Sequence, residues 1–136
     1  MKKILIVVML SFYLSACSLT VPRENMQKAY YGPSLTGSEV IEKASLYFQQ
    51  ILLDPDSMKL DCSQDVRRGW ARDNMFDEPT FGYLARCSVN AKNRFGGYTG
   101  KKDYAIVVNG SNVFAVEVNR SDNQRRNPER WMGYAE

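Results

Sequence analysis

The chain has 136 residues, of which 18 are basic and 15 acidic, and it contains no histidine. The absence of histidine excludes a histidine-based catalytic triad, a histidine metal site and a histidine pH switch. A formal net charge of +3 is too small to argue for nucleic-acid binding. The length allows one domain and little more.

The first residues predict export from the cytoplasm. Two lysines at positions 2 and 3 precede the apolar run Ile4–Leu14. That run is shorter than the roughly 20 residues that a membrane span needs, and it fits the pattern of a secretory signal peptide. Residues 14–17 read Leu-Ser-Ala-Cys and resemble the lipobox of bacterial lipoproteins. The resemblance implies cleavage after residue 16 and lipid on Cys17, whereas ordinary cleavage would leave a free thiol there.

The resemblance also implies a location. A single acyl chain anchors weakly, at about 0.8 kcal/mol per buried CH₂, and several chains anchor firmly. Ser18 stands where enterobacterial lipoproteins retained in the inner membrane usually carry aspartate. We therefore expect an outer-membrane anchor on the periplasmic face, and exposure on the cell surface stays open. Cleavage after residue 16 would also remove Lys2 and Lys3, so the mature chain would carry a formal net charge of +1.

Residues 17–36 are predicted to be the lipidated N-terminus and a flexible tether. They contain Pro22 and Pro33 and show no hydrophobic period, which is typical of an extended and mobile linker. Alternatively, Tyr30 and Tyr31 dock back on the domain.

A helix is predicted over residues 37–53. Thr36 and Glu39 have the spacing of a capping box, and Pro55 ends the helix because the residue before a proline disfavours helical backbone. We expect the apolar stripe of this helix to pack on a sheet. The stripe comprises Val40, Ile41, Ala44, Tyr47, Phe48, Ile51 and Leu52.

After Pro55 the apolar period changes to two, which predicts strands. Asn109-Gly110 is a strong hairpin signal between the last two of them. The predicted strands lie around residues 58–62, 81–91, 104–108 and 113–118, with a short extra strand possible around 69–72. Residues 37–118 are therefore predicted to form an α+β domain, in which one N-terminal helix packs on a small antiparallel β-sheet of three to five strands.

Two cysteines remain after the lipidation of Cys17. Cys62 and Cys87 both fall on the apolar phase of their predicted strands. An even pair of cysteines in an oxidising compartment predicts a disulfide. The alternative is two buried free thiols.

The end of the chain, residues 119–136, loses all periodicity. This composition predicts a polar and mobile C-terminal tail. Trp131, Met132 and Tyr134 leave open the alternative that the segment docks on the domain, on a partner or on a membrane surface.

Catalytic and metal motifs are missing from the sequence. No serine lies in a G-x-S-x-G turn, and no histidine is present to activate one. The acidic residues Asp54, Asp56 and Asp61 do not have the spacing of a calcium loop. We therefore expect no cofactor, no metal and no enzymatic activity.

Residues 90–100 form the candidate binding loop. Three glycines in five residues permit unusual backbone angles, but no phosphate-loop motif is present. The simplest interpretation is a wide connection between two strands, with both aromatic side chains packed beneath it. The functional alternative is a contact surface for a glycan or a protein. The candidate residues are Asn90, Lys92, Asn93, Arg94, Phe95 and Tyr98.

Two segments carry a further resemblance. Residues 53–59 read L-D-P-D-S-M-K, and residues 89–100 read V-N-A-K-N-R-F-G-G-Y-T-G. Together they resemble a family of small uncharacterised proteobacterial and prophage-borne proteins, many of them lipoproteins. The resemblance covers about residues 40–116. It implies a fold unit and brings no activity with it. Lys101-Lys102-Asp103 stands where such proteins often show an aromatic residue.

These features together predict a non-enzymatic lipoprotein of the outer membrane that binds another envelope component. The expected partner is an envelope protein or peptidoglycan, and not nucleic acid. The alternative is a periplasmic inhibitor or a glycan- or peptidoglycan-binding module that uses the loop of residues 90–100.

Overall fold

The computed structural model describes residues 20–119 and 126–135. Two helices and six strands lie within these residues, and short 3₁₀ turns lie at Pro55–Ser57 and Pro128–Arg130. The helices are α1 (Arg23–Lys28) and α2 (Gly37–Ile51). The strands are β1 (Lys59–Cys62), β2 (Arg67–Ala71), β3 (Thr80–Asn90), β4 (Lys102–Asn109), β5 (Asn112–Val118) and β6 (Met132–Tyr134).

The helix α2 begins at the predicted capping box. The Thr36 hydroxyl accepts a hydrogen bond from the Glu39 N–H at 3.3 Å, and the Glu39 carboxylate accepts one from the Thr36 N–H at 2.7 Å. The bond from the Thr36 backbone holds the pKa of Glu39 below its ordinary value. The helix ends at Ile51, two residues before the predicted end. Neither helix in the described part of the chain is long and apolar enough to cross a membrane.

The six strands form one antiparallel sheet in the order β5-β4-β3-β2-β6, and β1 also pairs with β3. The fold is α+β as predicted, but the expected three to five strands are too few. The central strand β3 has β4 on one side. Its other side is shared, because β2 pairs with residues 80–84 and β1 with residues 87–90.

The additional strand comes from the end of the chain. In β6, Met132 lies opposite Ala71 and Tyr134 opposite Gly69. Trp131 and Met132 are both buried. This differs from the polar, mobile tail predicted for residues 119–136, because the outer side of β2 offers unpaired backbone groups that a further strand satisfies. Within that segment, residues 120–125 and 136 lie outside the described residues.

The segment before α2 packs on the domain. The Tyr31 ring is buried and meets Phe81 edge-to-face at 5.7 Å, and its hydroxyl donates to the Met26 carbonyl at 2.7 Å. Asn109 donates through Nδ2 to the Tyr30 carbonyl at 3.1 Å. The described part of residues 17–36 therefore differs from the flexible tether predicted there. The alternative, in which both tyrosines dock on the domain, holds for the side chain of Tyr31, whereas the side chain of Tyr30 is exposed.

Both faces of the sheet are buried. The first cluster joins α2 to one face and includes Val40, Ala44, Phe48, Tyr83, Ala85, Cys87, Val89, Ile106 and Val108. The second lies on the opposite face and includes Ala71, Leu84, Ala105, Val107, Val116 and Met132. Leu84 belongs to the phase of β3 that we expected to be polar, yet it is fully buried. The predicted alternation holds only farther along the strand, where Arg86 is exposed.

The predicted disulfide between Cys62 and Cys87 is confirmed. The two residues lie directly opposite each other in the pairing of β1 with β3. Cys87 is buried in the first core cluster, between Ala85 and Val89. The bond therefore ties β1, which has only four residues, to the central strand.

We expect loss of this disulfide to lower the free energy of unfolding by about 3–4 kcal/mol, because the bond closes a long loop in the unfolded chain. Urea unfolding of the double variant C62A/C87A measures the change. Added reductant should produce the same loss in the wild-type protein and no further loss in the variant. Equal midpoints for variant and wild type would contradict the expectation.

We expect Thr36→Ala to destabilise the fold by about 1 kcal/mol, because it leaves the Glu39 N–H without its cap. Ser45→Ala, within the same helix, is the control. The folded-state pKa of Glu39 is lowered. The contribution of its carboxylate is therefore present above the ordinary pKa and is lost as the pH falls through the lowered one. Glu39→Gln tests this role directly, and a deficit of that variant that stays constant down to pH 2 would refute it.

Candidate functional site

The loop of residues 90–100 continues β3 and β4 as a short hairpin. Lys92 and Tyr98 form an isolated antiparallel bridge. The Asn93 N–H donates to the Gly97 carbonyl at 2.8 Å, and the Thr99 N–H donates to the Ala91 carbonyl at 3.3 Å. The loop therefore has a defined backbone held by its own hydrogen bonds. We call it the distal loop.

Two asparagines of the candidate set hold the distal loop in shape. The Asn93 Oδ1 accepts hydrogen bonds from the N–H groups of Phe95 at 2.9 Å and Gly97 at 3.2 Å. The Asn90 Oδ1 accepts one from the Gly100 N–H at 3.2 Å. Gly96 has φ +80°, a conformation that glycine adopts without the cost that a side chain brings. Asn90 and Asn93 thus direct their oxygens at the loop and not at a partner.

The two sequence segments that carried the family resemblance meet beneath the distal loop. The Lys92 N–H donates to the Ser57 hydroxyl oxygen at 2.8 Å, and that hydroxyl donates to the Asp54 carbonyl at 2.8 Å. Ser57 therefore connects the turn after α2 to the start of the loop. This gives Ser57 a structural role.

The tip of the distal loop is exposed. Phe95 has 87% of its surface accessible, Arg94 beside it is exposed, and Tyr98 has 42% accessible. The interpretation that both aromatic side chains pack beneath the loop is therefore wrong for Phe95. An accessible phenylalanine on a backbone held by hydrogen bonds offers apolar surface at little entropic cost on binding.

Two ammonium groups lie near the Tyr98 ring. The Lys59 Nζ is 4.4 Å from the ring centroid, and the Lys92 Nζ is 5.6 Å from it. Both distances fall in the range of cation–π attraction. Lys59 was not among the predicted site residues. Its position depends on the register of β1, where it lies opposite Asn90, and its place in the segment of residues 53–59 was the available signal.

A groove of about 230 Å³ separates the end of α2 from the distal loop. Its apolar wall includes Ile51 and Leu53, which are 55% and 76% exposed. Lys92 and Lys102 line its other side. Burial raises the pKa of Tyr104 at the base of the groove. The remaining lining residues are Leu52, Val89, Ala91, Asn93 and Thr99.

The distal loop is locally cationic, because Lys92, Arg94 and Lys101 lie within residues 90–101 and no acidic residue does. Lys102 is balanced by Glu117, with which it forms an ion pair at 3.2 Å. Asp103 follows Lys102 directly, and Asp54 lies in the adjoining turn. The local excess of positive charge in the loop favours an anionic partner over a cationic one.

A second concave surface lies on the opposite face of the sheet. Its volume is about 390 Å³, and Arg86, Ser88 and Asp103 line it. The Ser88 hydroxyl donates to the Asp103 carboxylate, which also accepts from the Asn119 Nδ2 at 3.2 Å. This pair lacks the imidazole that takes the hydroxyl proton in serine hydrolases. Residues 20–119 and 126–135 contain no group of three or more metal-ligating side chains.

Comparison with known proteins leaves the chain without an assigned family. No family model matches it, and no curated protein or solved structure shows significant similarity to it. Cys17, the predicted lipidation residue, and the signal peptide of residues 1–16 lie outside the described residues. The site is therefore argued from its own geometry.

We expect Asn93→Ala to loosen the distal loop without unfolding the domain. The substitution removes the acceptor of the Phe95 and Gly97 N–H groups, and an amide that loses its hydrogen bond exchanges with solvent faster. Hydrogen exchange at these two amides should accelerate by about tenfold, corresponding to about 1.4 kcal/mol of local opening. Asn112→Ala, in the β4–β5 hairpin, is the control. Unchanged exchange at residues 95 and 97 would contradict the assigned role.

Proposed function

We propose that this protein is a non-enzymatic lipoprotein of the outer membrane, anchored on its periplasmic face through lipid on Cys17, that binds another envelope component with the distal loop. The observation that supports the binding role is the exposed Phe95 on a hydrogen-bonded loop surrounded by basic residues. Exposed aromatic side chains with arginine and lysine neighbours are frequent anchors of binding surfaces.

The short link between the anchor and the domain supports this arrangement. Only residues 18–20 separate Cys17 from Val21, which is buried. At most about 3.6 Å per residue, Cys17 can lie no farther than roughly 14 Å from Val21. A lipid on Cys17 would therefore hold the domain close to the bilayer.

The distal loop lies at the end of the sheet remote from the docked N-terminal segment. Tyr30 and Tyr31 contact Asn109 and Phe81, where β4 ends and β3 begins. The distal loop follows Asn90, at the other end of β3. Nine residue steps from Phe81 to Asn90, at about 3.3 Å each, separate the two ends by about 30 Å. With lipid on Cys17 and the Tyr30 end of the sheet toward the bilayer, the loop would face away from the membrane surface.

A second candidate function is a periplasmic inhibitor. A projecting loop with a fixed backbone and an exposed aromatic tip suits insertion into the cleft of an enzyme. The partner is then an envelope enzyme, and the surface used is the same. Lysozyme and peptidoglycan-hydrolase assays with the purified protein separate this function from simple binding.

We expect a photo-crosslinking amino acid at position 95 to capture an envelope component in intact cells, whereas the same amino acid at position 76 does not. Phe76 is 86% exposed and matches Phe95 in residue type and accessibility. It lies in the segment that connects β2 to β3. The products are separated by gel and identified by mass spectrometry.

The lipid anchor is checked in the same cells. Palmitate should label the wild-type protein and not Cys17→Ser, and the crosslink from position 95 should disappear with the anchor. Identical crosslinks from positions 76 and 95 would refute the distal loop as the binding surface.

A further inference from the structure

The chemistry of the distal loop narrows the class of partner. Lys92, Arg94 and Lys101 present positive charge on the loop, and Lys59 of β1 adds a fourth cation. Lys102 is not counted, because its ammonium group pairs with Glu117. Such a surface attracts an anionic partner and repels a cationic one. An extended anionic polymer satisfies several of these ammonium and guanidinium groups at once.

The flat apolar groups favour a carbohydrate. The accessible ring of Phe95 offers a face on which the C–H side of a sugar ring stacks. A groove of about 230 Å³ lies between the distal loop and the end of α2, and it gives a polymer lying across the loop a second surface to contact.

The groove also supplies polar groups for sugar hydroxyls and carboxylates. Lys92 provides a charged donor, and Asn93 provides its amide NH₂ group, since its oxygen is held by the loop. Ile51 and Leu53 leave apolar surface exposed on the facing wall. A partner with ring faces, hydroxyls and carboxylates matches all of these groups.

We propose that the distal loop and its groove bind an anionic glycan polymer, whose source in the envelope is peptidoglycan. This rests on the proposed function, because the anchor places the domain in the periplasm. The polymer lies across the tip of the loop. Phe95 stacks on a sugar ring, and Lys92, Arg94 and Lys59 pair with carboxylates of the peptide stems.

The test is sedimentation of the full-length lipidated protein, kept in detergent, with purified peptidoglycan sacculi. The wild-type protein should co-sediment, and raised salt should release it because the charges are screened. Phe95→Ala and the double variant K92A/R94A should each bind at least about tenfold more weakly, as anchor residues of an interface do.

Matched controls isolate the distal end from general surface effects. Phe76→Ala removes an equally exposed phenylalanine, and Lys28→Ala removes an exposed lysine of α1. Both should bind as the wild type does. Circular dichroism and thermal unfolding of every variant show that each one folds. Soluble muropeptides should compete for binding, whereas an uncharged chitin oligosaccharide should compete at least about tenfold less well, because it lacks the carboxylates.

Failure of this inference is distinguishable from failure of the proposed function. No sedimentation of the wild-type protein, or equal loss in the Phe76→Ala control, overturns the glycan proposal. A crosslink from position 95 to an envelope protein, together with no binding to sacculi, overturns it as well but leaves the proposed function intact. If the crosslink from position 95 and the binding to sacculi are both absent, both proposals are overturned.

Discussion

The antiparallel hydrogen bonding along β3 is the interaction on which the rest of the structure depends. This strand has β4 on one side and both β1 and β2 on the other. Its side chains contribute to the core clusters on both faces of the sheet, with Tyr83 in one and Leu84 in the other. Because β1 is only four residues long, the Cys62–Cys87 bond adds a covalent link where hydrogen bonds are few. A defect in β3 would therefore disturb every other strand and the loop that follows it.

The distal loop takes its order from the same strand. Its backbone begins at Asn90, in register with Lys59 of β1, and the Ser57 hydroxyl holds it to the turn after α2. The internal bonds of Asn93 then fix the turn that displays Phe95. Order therefore passes from the sheet into the loop through the strand register and through hydrogen bonds between side chains and backbone. The exposed side chains of Phe95 and Arg94 at the tip are available for a partner.

The sequence predicted the elements whose signals lie within a few neighbouring residues. The capping box at Thr36 and the apolar stripe located α2, and alternation located β1, β3, β4 and β5, with the possible strand near residue 70 appearing as β2. The disulfide was predicted because both cysteines fall on the apolar phase of their strands, and the structure confirms it. Elements that form only through contacts with residues distant in the sequence were not predicted. The strand β6 has three residues, too few for a period, and forms because β2 offers an unpaired side. The short helix α1 has no buried face of its own.

The site shows the same division between local and long-range information. Glycine content located the distal loop correctly, since turns that need unusual backbone angles favour glycine. The pattern did not show which side chains face outward, because exposure depends on the course of the backbone in three dimensions. Phe95 was expected beneath the loop and lies at its tip. Lys59 lies 31 positions before Asn90, and only the strand register brings it to Tyr98.

The central claim is that the anchor and the binding loop occupy opposite ends of one rigid domain. The most direct measurement reconstitutes the lipidated protein in vesicles with a fluorescent amino acid at position 30 or at position 95, and adds lipids that carry a quencher in the headgroup. Tyr30 contacts Asn109 at one end of the sheet, and the loop lies about 30 Å away along β3. If lipid on Cys17 holds that end at the bilayer as proposed, fluorescence at position 30 should be quenched and that at position 95 should not. Equal quenching at both positions, or stronger quenching at position 95, would contradict the claim.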